Sequence, residues 1–297
     1  MRARSWGWTT RLDPTLFAFA LGLGSAVTLA GANTFVKAAK DILGARAVMA
    51  FTSAILMAPA AFFTPLPNQQ TWMILSLSLP AHWLYQTALV RALSRGDLSL
   101  VFPVMRGSAP LLTAIAASLV LGEHLSPLAI TGLTIASLAT IVFALPERNF
   151  GGSRKVRNSA LLWAMATGAC VAIYNVIDAQ GVRAGPSQWS FIVWLFLLDW
   201  IGINTIAYLT RGHGPFIAAA RAALWPGIGA GVCSLVSFSM ALYGFSIAPV
   251  AYISAMRETA VVIAAVLGWW FLKEGFGARR TFAAVILASG LALLQFG

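Results

Sequence analysis

The stretch VMRGSAP at residues 104–110 has a counterpart, AMRETAV, at residues 255–261. Arg257 lies 151 residues after Arg106, and the same offset relates further identical pairs: Met105 and Met256, Ala114 and Ala265, Leu121 and Leu272, Glu123 and Glu274. A shared offset without gaps over the length of a helix indicates an internal duplication. Both copies also place an arginine inside an apolar run, a position that is costly in a membrane and usually functional.

The composition is that of a membrane protein. Hydrophobic residues make up 59% of the 297-residue chain and charged residues 10%, whereas a soluble chain has about 25% charged residues. Apolar runs of about 20 residues, enough to cross a bilayer as a helix, recur along the sequence. The net charge of +11 comes mostly from residues between these runs, which is typical of membrane loops. We therefore predict an all-α integral membrane protein with no nucleic-acid partner.

The cysteines and histidines do not have the spacing of a metal site or a disulfide framework. Cys170 and Cys233 lie in apolar runs and are interpreted as small packing residues. The histidines, His82, His124 and His213, fall in unrelated segments, and the sequence has no HExxH or DxxD motif. A lipid enzyme would need clustered nucleophiles, metal ligands or paired carboxylates. We therefore expect no enzyme, no catalytic residues, no metal and no cofactor.

Ten apolar segments are predicted to span the membrane. They cover approximately residues 14–37, 45–64, 71–92, 98–121, 127–145, 159–180, 188–209, 224–246, 248–272 and 278–296. The longest internal polar stretch separates the fifth span from the sixth. We therefore divide the chain into a first repeat at residues 1–145, a linker at 146–158 and a second repeat at 159–297. We expect residues 1–13 to be retained rather than cleaved as a signal peptide.

An odd number of spans in each repeat forces the second repeat to enter the bilayer upside down. The predicted fold is thus ten transmembrane helices in two inverted five-helix repeats, an architecture that places a transport site near the midplane. Of the 20 lysines and arginines, two lie in the repeated stretches and four lie on one side of the membrane, which leaves 14 on the other. Basic loops face the cytoplasm, so this count places both termini away from it. The N-terminal Arg2, Arg4 and Arg11 oppose that orientation.

A set of short motifs extends over the whole chain. It comprises Pro103–Pro110, Leu121–Ser126, Gly132, Tyr174–Asp178, Gly181–Arg183, Met256–Thr259, Leu272–Glu274 and Gly290–Leu291. Together with ten spans in a five-plus-five repeat, this set resembles the drug/metabolite transporter superfamily, specifically its EamA-type members.

The resemblance implies a secondary transporter of small metabolites, often an exporter. It also implies a cavity lined mainly by the first, third, fourth, sixth, eighth and ninth spans. The substrate stays open among amino acids, sugars, nucleotide derivatives and drugs. Ser254 stands where the first copy has Pro103, so we do not expect the two copies to be equivalent. The loop between the second and third spans also lacks the basic cluster of many relatives.

The two repeated arginines are the first candidates for solute binding. Arg106 and Arg257 would approach a central cavity from opposite sides, where two guanidiniums can clamp a carboxylate or phosphate. The alternative is that each arginine pairs with a structural carboxylate inside the membrane. Glu258 lies about 100° round the helix from Arg257 and suits a different partner. Asp178 and Asp199 are further candidate partners.

Polar stripes on the third and sixth spans predict further cavity residues. They are Ser78, His82, Tyr85 and Gln86 on the third span and Tyr174, Asn175 and Asp178 on the sixth. His82 is either a proton carrier or a hydrogen-bonding cavity residue, and Asp178, Asp199 and Glu258 are alternative proton carriers. Secondary pocket candidates are Tyr252, Ser254, Ser239 and Tyr243. Glu123 and Glu274 are predicted to be structural, each accepting from backbone N–H groups at the start of the next helix.

We therefore predict a secondary transporter, an exporter or exchanger, that acts as a monomer or homodimer in the cytoplasmic membrane. It would move a small polar, anionic or zwitterionic metabolite by alternating access. The predicted substrate-binding residues are Arg106, Arg257, Glu258, Asp178, Tyr174, Asn175, His82, Tyr85, Gln86 and Tyr252. The alternative class is a channel or a non-transporting scaffold, although a channel would more naturally show continuous pore-lining polarity.

Overall fold

The computed structural model describes residues 14–39, 41–93, 95, 98–144, 154–263, 266 and 278–296. Within these ranges the chain is all-α, without a strand. The helices are α1 (Pro14–Ala38), α2 (Ile42–Met57, continued by a 3₁₀ turn Ala58–Phe62), α3 (Gln69–Leu93), α4 (Leu98–Leu121), α5 (Pro127–Ala144), α6 (Arg154–Ala184), α7 (Gln188–Arg211), α8 (His213–Ala222), α9 (Leu224–Ile247), α10 (Val250–Met256) and α11 (Ala278–Phe296).

Six helical segments in the described ranges are long and apolar enough to cross a membrane. They are Leu16–Ala38, Ile42–Phe62, Val104–Leu121, Asn158–Ala184, Gln188–Arg211 and Leu224–Ile247. The lengths and the apolar composition of these helices are therefore those of an integral membrane protein. The remaining predicted spans differ for identifiable reasons: α3 carries the polar stripe, and the apolar parts of α5 and α11 are shorter.

The ninth predicted span is interrupted in its middle. Helix α10 ends at Met256, residues 257–258 form a turn, and residues 259–263 are helical again. The Glu258 N–H donates to the Ala255 carbonyl at 2.9 Å, and the Ala260 N–H donates to the Arg257 carbonyl at 3.1 Å. Bonds to the third preceding residue tighten the helix as in a 3₁₀ turn. The turn therefore falls on the second copy of the repeated stretch.

Capping residues fix several helix starts. The Asp41 carboxylate accepts from the Gly44 N–H at 3.1 Å, so α2 begins at Ile42 and not at the predicted residue 45. Ser126 accepts from the Ala129 N–H at 3.0 Å and sets the start of α5. Helix α6 begins at Arg154, inside the predicted linker, because no Pro or Gly interrupts residues 154–158. The predicted turn Leu272–Glu274 lies outside the described residues, as do residues 1–13 and 145–153.

Four pairs of helices pack side by side in opposite directions: α1 with α9, α3 with α6, α2 with α7, and α5 with α11. In the α2–α7 pair, Asp41 before α2 bonds Arg211 at the end of α7, and Ser190 near the start of α7 donates to the Pro65 carbonyl beyond α2. Helix α4 instead runs parallel to α6, since Ser108 lies beside Gly168 and Thr113 contacts Asn175 further along both helices.

The α5–α11 pair depends on two glycines. A Cβ on Gly132 would lie 2.4 Å from the Leu294 nitrogen, and a Cβ on Gly290 would lie 2.8 Å from the Gly132 carbonyl oxygen. The two backbones are therefore too close for any side chain, as in membrane helix pairs packed through small residues. This contact holds α5 and α11 together on the side of the molecule away from α2 and α7.

Candidate functional site

A cavity of about 150 Å³ lies between α1, α2, α3, α6, α7, α9 and the turn after α10. Its polar lining consists of Asn33, Arg46, Ser53, His82, Tyr85, Gln86, Tyr174, Asp199, Ser234, Ser237 and Arg257. Aromatic residues complete the wall, chiefly Phe196, Trp200 and Phe238. The lining extends from Arg257 at the helix break to Val36 and Arg46, near the end of α1 and the start of α2.

Arg257 lines the cavity from the turn that follows α10. Its guanidinium lies 5.5 Å from the centroid of the Phe238 ring, a cation–π distance. The Nε atom is buried and makes no hydrogen bond within the described residues.

Glu258 is the partner of the other repeated arginine. Arg106 Nη1 lies 3.5 Å from Glu258 Oε1, so the first copy of the repeated stretch pairs with the second. Glu258 is buried, with 2% exposure, and its Oε2 atom has no hydrogen-bond partner in the described ranges. The equivalent position in the first copy is Gly107, where a Cβ would lie 2.3 Å from Ile141 Cγ1 and 2.8 Å from the Ser137 carbonyl oxygen. Only the second copy therefore has room for a carboxylate.

A buried hydrogen-bond network joins α3 to α6 at the cavity floor. Asp178 is completely buried, accepts from the Ser78 hydroxyl, and lies 2.9 Å from His82 Nε2. The His82 ring stacks on Tyr174 with centroids 4.3 Å apart, and Tyr85 packs edge-on against Tyr174 at 5.4 Å. The network fixes the orientation of His82 and of both tyrosines toward the cavity.

A second arginine, Arg46 on α2, also lines the cavity. Arg46 Nη2 donates to Gln86 Oε1 at 2.7 Å, and the guanidinium lies 6.0 Å from the Tyr85 ring centroid. Across the cavity, Asp199 Oδ1 on α7 is buried and has no hydrogen-bond partner among the described residues. Arg46 is one of the 14 basic residues that the sequence assigns to one side of the membrane, because the predicted second span begins only at residue 45. The capping residue Asp41 is the signal that would have placed Arg46 inside the helix.

The structure divides the ten predicted binding residues into distinct groups. Those that line the cavity are His82, Tyr85, Gln86, Tyr174 and Arg257. Asp178 lies behind His82, and Arg106 and Glu258 form the adjacent pair. Asn175 points to α4, where it donates to the Thr113 hydroxyl at 3.3 Å. Tyr252 lies in a separate small pocket with Phe19 and Pro249.

Three aromatic residues of the cavity wall were not predicted from the sequence: Phe196, Trp200 and Phe238. The chain has 34 aromatic residues, and membrane helices carry many on their lipid faces. No sequence signal therefore separates these three from the rest.

The lining of the cavity is suited to a polar ligand. Two guanidiniums, one buried carboxylate and several hydroxyl and amide groups converge on it, and Arg46, Asp199 and Arg257 each keep one buried unpartnered atom. Buried polar groups in proteins almost always have partners, so these atoms mark positions where a ligand can bond. An anionic group fits the arginines, and a cationic group fits Asp199. In the part of the chain that the structure describes, no three His, Cys, Asp or Glu side chains are grouped to hold a metal ion.

The opposite end of the cavity is closed by an ion pair and an apolar cluster. Arg183 at the end of α6 donates to Glu123 Oε1 at 2.7 Å and to the carbonyls of Phe245 and Ala248. Below this pair, buried apolar side chains fill the space between the helices, among them Val176, Ala179, Phe191, Leu242 and Ile253.

The predicted partner of Glu123 was wrong. The carboxylate accepts from the Val250 N–H at 2.9 Å, at the start of α10, and not from the start of α5. The reason is that Ser126 already caps α5, and Gly122, with φ of 67°, turns the chain out of α4 just before Glu123.

No protein-family model and no curated protein match the sequence. A solved structure described only as "Crystal structure of protein" is similar in fold, with a TM-score of 0.72. The match covers 96% of this chain and 98% of that chain at 18% sequence identity. At this identity the likeness shows the fold alone.

Proposed function

We propose that the chain is a ten-span secondary transporter of the EamA type, built as two inverted five-helix repeats. In this proposal it moves a small anionic or zwitterionic metabolite across the cytoplasmic membrane by alternating access. The observation that carries the proposal is the buried polar cavity between the two halves, with unpartnered atoms on Arg46, Asp199 and Arg257 and with its far end closed.

The directions of the packed helices support ten alternating crossings. A chain that crosses the membrane ten times would have four antiparallel pairs: α1 with α9, α3 with α6, α2 with α7, and α5 with α11. In the same chain, α4 would run parallel to α6. The contacts agree with each of these directions. Exchanging the halves also converts the α1–α9 pair into the α6–α3 pair, and both pairs are among the most extensive in the fold. Both features favour an inverted duplication.

The extent of the cavity supports an inward-facing state. Its lining reaches Val36 and Arg46, on the side to which the sequence assigns 13 other lysines and arginines. The positive-inside rule assigns that side to the cytoplasm. The closed end, where Arg183 bonds Glu123, then faces outward. Export would require this end to open after a solute has bound from the cytoplasm.

The balance of charge in the cavity supports an anionic or zwitterionic solute. Arg46 and Arg257 both line it, and Asp199 is its only lining carboxylate among the described residues. Two guanidiniums can hold a carboxylate or phosphate, and Arg is suited to planar, bidentate contacts. The volume of about 150 Å³ limits this state to a small solute.

Ligand-induced stabilisation followed by flux measurements would test the function. The purified protein is first screened for thermal stabilisation against a library of small anionic and zwitterionic metabolites, since a ligand that binds the folded state raises its stability. The stabilising compound, radiolabelled, is then used for counterflow in proteoliposomes. We expect saturable exchange that Arg257→Ala abolishes and that Arg95→Ala, a change at an exposed arginine away from the cavity, preserves.

Two results would contradict this proposal. One is that no compound in the library stabilises the protein or exchanges across the membrane. The other is an unsaturable electrical conductance in a planar bilayer, which would instead support a channel.

A further inference from the structure

A second and larger cleft of about 830 Å³ lies on the flank of the protein, between α2, α7, α8 and α9. Its walls are mainly apolar and include Val48, Phe51, Ile55, Ile201, Phe216 and Leu224. Phe51, Ile55, Ile201 and Leu224 are also partly open to the surroundings, with exposures between 39% and 55%. On an integral membrane protein, these helix flanks face the lipid and not the aqueous phase.

Helix α8 closes one end of this cleft. It has ten residues, begins directly after Gly212 ends α7, and leads into α9 through Ala223. No residue of α8 is buried, and Phe216, Ile217 and Ala220 line the cleft. A short helix between two spans, with one apolar face, is suited to lie in the membrane–water interface. The cleft therefore runs from the interface into the apolar layer.

Arg221, at the end of α8, supplies the charge at this mouth. It lines the cleft and is exposed, and its side chain makes no hydrogen bond or ion pair within the described ranges. The neighbouring Arg211 differs, because Asp41 pairs with it through two hydrogen bonds. The cleft thus combines a long apolar wall with one uncompensated guanidinium at its polar end.

We propose that this cleft binds an anionic phospholipid, with an acyl chain along α2, α7 and α9 and with the phosphate on Arg221. Charge complementarity selects the headgroup, since basic pockets at the cytoplasmic ends of membrane helices attract anionic lipids. The volume also lies within the range of about 300–1,000 Å³ that is usual for ligand sites. The site is independent of whether the protein transports a solute.

Trp200 connects this lipid site to the polar cavity. Its ring lines both the cleft and the cavity between the halves. On the cleft side it packs edge-on against Phe51, with centroids 5.2 Å apart. An acyl chain in the cleft would therefore rest on a residue that forms part of the solute-facing wall.

Lipid retention measured by native mass spectrometry tests the site. The full-length protein in detergent is mixed with equal amounts of phosphatidylglycerol and phosphatidylcholine, and the bound copies of each are counted. Thermal stability is measured with each lipid in parallel. We expect the wild type to retain phosphatidylglycerol preferentially and to be stabilised more by it. Arg221→Gln should remove this preference, and the matched variant Arg95→Gln should keep it.

A second variant tests the apolar part of the site. Thr205→Trp places a large side chain at an exposed cleft position and should reduce retention of phosphatidylglycerol, while its gel-filtration profile stays that of the wild type. Three results would overturn the proposal: no preference between the two lipids in the wild type, an equal loss in Arg221→Gln and Arg95→Gln, or unchanged retention in a folded Thr205→Trp protein. An equal loss would mean that net charge alone attracts the lipid.

Discussion

The guanidinium of Arg106 lies 3.5 Å from the carboxylate of Glu258, so the two similar stretches 104–110 and 255–261 meet in an ion pair inside the protein. The side chains are 15% and 3% exposed, respectively. The pair leaves Arg257, the repeat mate of Arg106, to face the cavity. The two arginines therefore have different environments, Arg106 in an ion pair and Arg257 at the cavity.

Removing Arg106 alone should destabilise the protein more than removing both partners. Arg106→Met leaves the buried Glu258 carboxylate uncompensated, which costs about 3 kcal/mol in comparable buried pairs. The double variant Arg106→Met/Glu258→Met removes both charges and should recover most of that loss. Thermal unfolding of the purified proteins measures the difference. Equal melting temperatures for the single and double variants would show that an unpaired Glu258 carboxylate carries no cost at this position.

Arg257→Ala should abolish solute binding and transport while leaving the protein folded, because the change removes no hydrogen bond from Nε within the described residues and only the contact of the guanidinium with the Phe238 ring. Arg257→Lys should restore binding only in part, since an ammonium cannot make the planar bidentate contacts of a guanidinium. Ligand-dependent thermal stabilisation and counterflow are the measurements. Full activity of the alanine variant would remove Arg257 from the site.

Asp178→Asn should also abolish transport. The carboxylate accepts from Ser78 and holds His82 at 2.9 Å, whereas an amide can accept at only one of these positions. His82 and the stacked Tyr174 should then lose their fixed orientation. Expression and gel filtration check that the variant inserts and folds, and counterflow checks its activity. If transport continues unchanged, the network has no role in solute binding.

Arg183→Ala should open the closed end of the cavity. The change removes the bonds to Glu123 and to two backbone carbonyls that tie α6 to the turn before α10. Ala179 is completely buried beneath this pair. In a background without the native cysteines, Ala179→Cys should react slowly with a membrane-impermeant maleimide, and the added Arg183→Ala change should accelerate labelling. Equal labelling rates with and without Arg183 would argue against a gate here.

The Asp41–Arg211 pair should make stability depend on acid pH. Hydrogen bonding from Arg211 holds the pKa of Asp41 below its usual value. The pair therefore stabilises the fold above the ordinary Asp pKa of about 3.9, and this contribution is lost as the pH falls through the lowered pKa.

Asp41→Asn isolates the charge, because asparagine can still cap α2. Both side chains of the pair are about a quarter exposed, so the expected contribution at neutral pH is about 0.5 kcal/mol. The melting temperatures of the wild type and the variant should differ at pH 7 and converge at low pH. A difference that persists or grows in acid would contradict this assignment.

The positions of most helices could be predicted from the sequence because apolar runs and their polar ends are local features. It could not reveal the helix break at Arg257, since AMRETAV contains neither Pro nor Gly. Nor did it predict α8, because Gly212 and Gly214 favour a loop between the seventh and eighth spans. The partner of Arg106 depends on the angle at which α4 crosses α10, and the similarity of the two sequence stretches does not predict that crossing angle.

The residues that line the cavity could likewise be predicted only in part from the sequence. The stripes on the third and sixth spans identify His82 and Tyr174 because polar residues are rare in apolar helices. Trp200 and Phe238 are aromatic residues among many, and only the packing of α7 and α9 separates them from lipid-facing rings.

Gly107 restricts how the two repeats can evolve. Ile141 and the Ser137 carbonyl occupy the space of any side chain there, so a single mutation to an acidic residue at position 107 would not make the first stretch equivalent to the second. The second copy can exchange Glu258 without displacing a neighbouring backbone, and the first cannot accept it. We therefore expect side chains larger than glycine to be excluded at position 107 and accepted at position 258.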